Sequence, residues 1–163
     1  MTRNAGRVLL ILSLFVAGGQ GIASAQIGDT TIEANITHAF IVGDKTLPAG
    51  KYEIRALYDS DPNTFEIRSA NGHIGAVFET HSAQANRTPR KTELVFNKFG
   101  YSYFLSQIWL EGSDLGNELE KTKAEKKLEE GGIASEHPSV AAKQSKRAKG
   151  KASMESKNSK PNQ

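Results

Sequence analysis

The residues whose types could do chemistry in this chain are four histidines, a run of aspartates and a set of strand glutamates. His38, His73, His81 and His137 offer imidazoles of the kind that hold zinc or copper, yet no two stand at ligand-pair spacing. Three of them could converge only if the first and fourth strands were neighbours. His38 shares its parity with Ile36 and Phe40, which predicts a partly buried, hydrogen-bonded ring. His73 flanks a turn and His81 opens a loop, both water-facing places. Asp59-Ser60-Asp61-Pro62-Asn63 has the first three ligand positions of a calcium loop. Thr64 then stands where the sharp-turn glycine belongs and Ala70 where the bidentate glutamate belongs, so turn chemistry accounts for the segment. Glu53, Glu66 and Glu79 could assemble a carboxylate pair for hydrolysis, but all three fall on the polar parity of their strands, where a solvated charge is expected.

Nucleophilic catalysis lacks its parts: there is no cysteine and no Gly-x-Ser-x-Gly elbow. Asn35-Ile36-Thr37 and Asn86-Arg87-Thr88 match the glycosylation acceptor, a motif with meaning only where the modifying machinery exists. The sequence therefore assigns no catalytic residue, no metal site and no cofactor, and the expectation is a protein that is not an enzyme.

The elements that must carry any site begin with an address. Arg3 and Arg7 precede an apolar run at residues 8–17, and Ala23-Ser24-Ala25 precedes Gln26, the order of a secretory signal peptide over residues 1–25. Ten residues rise only ~15 Å as a helix, about half a hydrocarbon core, so cleavage is expected rather than a transmembrane anchor. Without cysteine, an exported domain cannot use disulfides and must rely on a buried core. Residues 26–130 suffice for one domain.

Alternation with period two dominates that domain. Ile32, Ala34, Ile36, His38, Phe40 and Val42 share one parity, which predicts a strand over residues 31–42. Gly43, Asp44, Pro48 and Gly50 then punctuate an exposed loop, with Asp44, Lys45, Thr46 and Leu47 as a candidate binding element. Tyr52, Ile54, Ala56 and Tyr58 repeat the pattern. Asn71-Gly72 predicts a two-residue type I′ hairpin, with Ala70 opposite His73, Ile67 opposite Ala76 and Phe65 opposite Phe78. A hairpin tipped at Phe99-Gly100 would set Phe96 against Tyr103, Leu94 against Leu105 and Val95 against Phe104; apolar residues on both faces imply a central hairpin or one covered on its outer side by another layer. Thr122-Lys123-Ala124-Glu125 is a capping box and Gly131-Gly132 a stop, predicting a helix from about Lys123 to Glu130 that rests on the sheet through Ala124 and Leu128.

Charge divides the chain. Residues 26–130 carry 12 basic and 16 acidic side chains, a net of −4, while residues 131–163 carry 7 and 2, a net of +5. The second segment, rich in Lys, Ser and Ala and without aromatics, is expected to be a disordered basic tail. Lys143, Lys146, Arg147, Lys149 and Lys151 would suit anionic envelope polymers or lipid headgroups; nucleic acid does not fit an exported chain.

Residues 40–52, Asn71-Gly72, residues 91–100 and residues 103–109 together resemble a group of small exported proteins found in soil-bacterial genomes. That resemblance implies export and a β fold, and no active site. The shorter Leu47-Pro48-Ala49-Gly50-Lys51-Tyr52 segment is similar to the loop-to-strand entry of prealbumin-like and immunoglobulin-like surface modules.

The sequence thus predicts an all-β domain, an antiparallel sandwich or small barrel of six to seven strands with one short C-terminal helix and a disordered tail. Its leading functional reading is a non-enzymatic binding or structural role in the cell envelope. A carrier for a small apolar ligand in the β core and a hydrolase with spatially assembled carboxylates are the alternatives.

Overall fold

Period-two patterning becomes, in the computed structural model, which describes residues 30–58 and 60–146, ten strands and one helix. They are β1 (Thr30–Ile36), β2 (Phe40–Val42), β3 (Lys45–Leu47), β4 (Gly50–Tyr58), β5 (Asp61–Ser69), β6 (Ile74–Gln84), β7 (Glu93–Phe99), β8 (Ser102–Trp109), β9 (Leu115–Leu119), α1 (Lys123–Glu130) and β10 (Ser139–Lys146). The signal-peptide assignment lies outside the described residues, as do Arg147, Lys149 and Lys151.

Eight strands close into an antiparallel barrel in the order β1, β4, β5, β6, β9, β8, β7, β10 and back to β1. The all-β expectation holds, but its six to seven strands are corrected to eight in the wall, with β2 and β3 as an outlying hairpin. Bulges between β4 and β5, β5 and β6, and β7 and β8 bend the wall, a common way for a twisted sheet to close. Ile32, Ile36, Ile54, Phe65, Ile67, Leu94, Phe96 and Ile108 are fully buried and belong to one contiguous core, so side chains fill the barrel.

The parity of residues 32–42 survives, but the single predicted strand does not. Chain direction changes at residues 37–39, where the backbone leaves β4 for the edge of β8. β2 meets that edge through one parallel pairing, Ile41 with Phe104, while β9 pairs farther along β8 at Gln107 and Ile108. The expected exposed loop at residues 43–50 is mostly a hairpin. Val42 stands opposite Lys45 across Gly43-Asp44, and Gly43 takes φ +56°, which glycine adopts without penalty. Leu47 is buried over Gly75; Asp44, Lys45 and Thr46 remain exposed.

Turn chemistry decides two further corrections. Asn71 does not adopt the positive φ that a type I′ turn demands. The Gly72 amide donates to the Ser69 carbonyl at 2.8 Å, Gly72 alone is left-handed, and Ser69 donates to the His73 carbonyl at 3.0 Å. The loop therefore has three residues, and Ala70 does not face His73. A bulge restores the predicted register, with Ile67 opposite Ala76 and Phe65 opposite Phe78. In the second hairpin the tip is Gly100-Tyr101, so Phe96 faces Leu105, Leu94 faces Ile108 and Val95 faces Gln107. Gly100 takes φ +59° at the first central position instead of the second, so the turn lies one residue later than predicted. Outer cover is present as expected: Asn97, Phe99 and Phe104, off the barrel core, are all buried.

α1 has the predicted bounds and its capping box: Glu125 donates its amide to Thr122 Oγ1 at 3.1 Å, and Thr122 donates back to Glu125 Oε2 at 3.4 Å. It rests through buried Glu125 and half-buried Leu128, whereas Ala124 is exposed. The Glu125 carboxylate is turned onto β7, accepting from Asn97 Nδ2 at 2.6 Å.

The largest departure concerns residues 131–163. Far from disordered throughout, residues 139–146 form β10, which pairs with β1 from Thr30 opposite Lys146 to Ala34 opposite Ala142 and with β7 from Ser139 opposite Val95 to Ala141 opposite Glu93. Backbone pairing on both edges orders a strand that brings only Val140 and Ala142 to the apolar core.

Candidate functional site

His38 sits in the bend between β1 and β2, stacked on Tyr103 with centroids 3.8 Å apart and edge-on to Phe96 at 5.2 Å. The aromatic packing half-buries it, but the expected hydrogen bond is missing: Nε2 has no partner among the described residues. Burial holds its imidazole below the ordinary histidine range. His73, His81 and His137 are exposed, and β4 and β5 separate β1 from β6, which carries His81. His137 Nδ1 lies 2.8 Å from Asn97 Oδ1. Among the described residues no three His, Cys, Asp or Glu side chains converge as metal ligands.

Of the three strand glutamates, Glu53 and Glu79 are exposed as expected and Glu66 is not. It is 2 % exposed on the outer face of β5, bonded to Arg55 of β4 and clasped by Arg68 at 2.8 and 2.9 Å. Burial alone would raise its pKa, but hydrogen bonds from Arg68 and Arg55, with their charges, outweigh it and hold the carboxyl below its ordinary value of 4.5. The depressed value means that Glu66 contributes stability above pH 4.5, and that this contribution is lost as pH falls through the folded-state value. Glu66→Gln is expected to cost about 1 kcal/mol near neutral pH, because the partly exposed arginines can rehydrate. Urea midpoints of the two proteins should draw together well below pH 4.5; a gap that is constant with pH would refute the ion-pair account.

One carboxylate pair does come together. Glu33 of β1 stands opposite Glu53 of β4, beside a groove of about 510 Å³ also lined by Lys51, Tyr52 and Lys143. Lys143 faces Glu33 and Arg68 faces Glu53 across the next strands, giving a row of plus, minus, minus, plus. Both carboxylates are open to water. Asp61 is occupied locally: it accepts from the Asn63 amide at 2.9 Å and the Thr64 hydroxyl at 2.5 Å, and these bonds hold its carboxyl below the ordinary range. That is the predicted turn chemistry.

Asp44, Lys45 and Thr46 lie at the exposed tip of the outlying hairpin; Asp44 and Thr46 border a groove whose other side includes Lys121, Thr122, Lys123 and Lys126. Leu47 points away, into the core. Lys143 is exposed on the barrel wall and Lys146 at its end, where the chain passes on to Arg147. Of the aromatics that could line a carrier cavity, Tyr52, Phe65, Phe78 and Phe96 pack within the filled core, Tyr103 packs against it, Phe104 is buried outside it and Tyr58 is exposed. Sequence reading missed a recess at the barrel end where Lys146 lies. It is about 750 Å³ in volume and takes Arg87 and Arg90 from the β6–β7 connection and Gln107 and Trp109 from β8. A polar connection holding two arginines was its only local signal.

No family model, curated protein or solved structure matches this chain.

Proposed function

We propose that the chain is a non-enzymatic, exported β-barrel that attaches to the cell envelope, with its basic C-terminal segment engaging anionic polymers or lipid headgroups. The observation that carries this reading is the pairing of Thr30 with Lys146. It sets Lys146 at the end of the barrel wall, and in the sequence Arg147, Lys149 and Lys151 follow within five residues. Clustered positive charge raises the local potential that draws anionic groups. The signal-peptide pattern and the motif resemblance to small exported proteins support the same address. The filled core favours this reading over a carrier, which would need internal space.

The test is retention of the exported chain on isolated envelope fractions across a salt series. A fivefold neutralised variant, Lys143→Gln, Lys146→Gln, Arg147→Gln, Lys149→Gln and Lys151→Gln, should release at lower salt than the natural chain, because fewer counterions are exchanged on binding. Equal retention of the two at every salt concentration would refute it.

A further inference from the structure

Residues 85–92 link strands that are not neighbours. β9 and β8 stand between β6 and β7 in the wall, so the connection must cross three strand spacings, roughly 14 Å. It is pinned as it crosses. Ala85 donates to the Asp114 carbonyl at 2.8 Å and the Pro89 carbonyl accepts from Gly112 at 3.0 Å. Beyond them the buried Thr92 hydroxyl accepts from the Glu111 amide at 3.0 Å and donates to Gln144 Oε1 at 2.9 Å. A tethered connection over a rigid wall is a preorganised platform rather than a loose loop.

The charge arrangement beneath it is one-sided. Glu93 is engaged by Lys91 at 3.2 Å, and Asp114 accepts from Gln84 Nε2 at 3.0 Å. Arg87 and Arg90, both exposed and both lining the recess, make no ion pair or side-chain hydrogen bond among the described residues. Trp109 donates its indole N–H to Gln107 Oε1 at 3.0 Å, which orients that amide and leaves its NH₂ without an acceptor among the described residues. Two guanidiniums and an amide N–H₂ thus border one polar hollow, whose one carboxylate, Glu93, already has Lys91 as its counter-charge.

We propose that this recess binds a phosphate group, held by Arg87 and Arg90 with Gln107 as a third donor. Guanidinium forks match tetrahedral oxyanions in geometry as well as charge, and a phosphate presents enough acceptor oxygens for both. The inference rests on the envelope reading for the source of the phosphate, which is either a lipid headgroup or a soluble or polymer-borne phosphate, but not for the chemistry of the site. The recess opens at the same barrel end as Lys146, so the exposed Lys146 ammonium would add its charge to the surface around a bound phosphate.

Trp109 is the only tryptophan in the chain, so its emission reports on the recess alone. The exported chain is titrated with inorganic phosphate at constant ionic strength, with chloride as the control. A saturable emission change with phosphate and none with chloride is expected. Arg87→Gln with Arg90→Gln should weaken it by about tenfold or more, the worth of a charge-assisted pair, with circular dichroism unchanged. Arg87→Lys with Arg90→Lys should recover only part of the affinity, since the charge is kept and the fork is lost. Absence of a saturable response, or equal affinity in the glutamine variant, overturns the proposal. Vesicles of phosphatidylglycerol that compete with phosphate, where phosphatidylcholine does not, support the site with a lipid source. Failure of both to compete, with the phosphate response intact, supports it with a soluble or polymeric one. The fivefold neutralised variant should keep the phosphate response while losing envelope retention, so the failure of either reading is seen separately.

Discussion

A chain ending after Pro138 is expected to lose the barrel, and one ending after Lys146 is expected to keep it. β10 supplies five paired positions to β1 and three to β7. Its removal opens both edges and brings water to Ile32 and Leu94, which are fully buried in the closed wall. At a net ~1 kcal/mol per hydrogen bond, the lost ladder approaches the ~5–15 kcal/mol that holds an ordinary domain together. Circular dichroism and size-exclusion chromatography should show the shorter chain unfolded or aggregated, and a cooperative melt within a few degrees of the longer chain's would refute the argument. The same reasoning bears on function. Deleting residues 131–163 to probe envelope attachment would confuse lost charge with a lost wall, and for this reason charge is better removed by substitution.

Replacing Gly116 by valine is expected to cost about 3 kcal/mol, the upper end of ordinary overpacking. A Cβ at this position of β9 would lie 2.3 and 2.4 Å from Trp109 Cε3 and Cζ3, and 2.9 Å from the Ile108 carbonyl. Neither neighbour can give easily: the carbonyl belongs to the wall, and the ring, 9 % exposed, is tied by its indole N–H to Gln107. The urea midpoint should fall with its slope unchanged. In a Trp109→Leu background the same substitution should cost less, because the ring contact is gone and only the carbonyl contact remains. Identical costs in the two backgrounds would show that the indole is not what makes glycine necessary.

Much of the core was legible because alternation is a local property. Ile32, Ile54, Phe65, Ile67 and Phe78 all face inward where the pattern puts them, and the helix ends were written in Thr122, Glu125 and Gly131-Gly132. Illegible features were those that depend on a distant partner. Val140 and Ala142 are too few to announce a strand, and only the open edges of β1 and β7 make one of them. Glu66 reads as a solvated charge until Arg55, eleven residues away, is laid across it. Asn71-Gly72 marks the hairpin but misleads on its turn type, since the bulge that repairs the register lies outside the dipeptide. The phosphate recess is of the same kind: Arg87 and Arg90 meet Gln107 and Trp109 only because the barrel order puts β8 beneath the connection.

The pairing of Thr30 with Lys146 also sets the tempo of folding. Its partners are 116 residues apart in the chain, so the last seam of the barrel is among the most non-local contacts the protein makes. Such contacts must overcome loop-closure entropy before they return any stability, which slows all-β chains by orders of magnitude relative to helical ones. Until residue 146 has been synthesised the wall has a gap and no stable cylinder can form. A polypeptide that cannot close early stays threadable for as long as its final strand is missing.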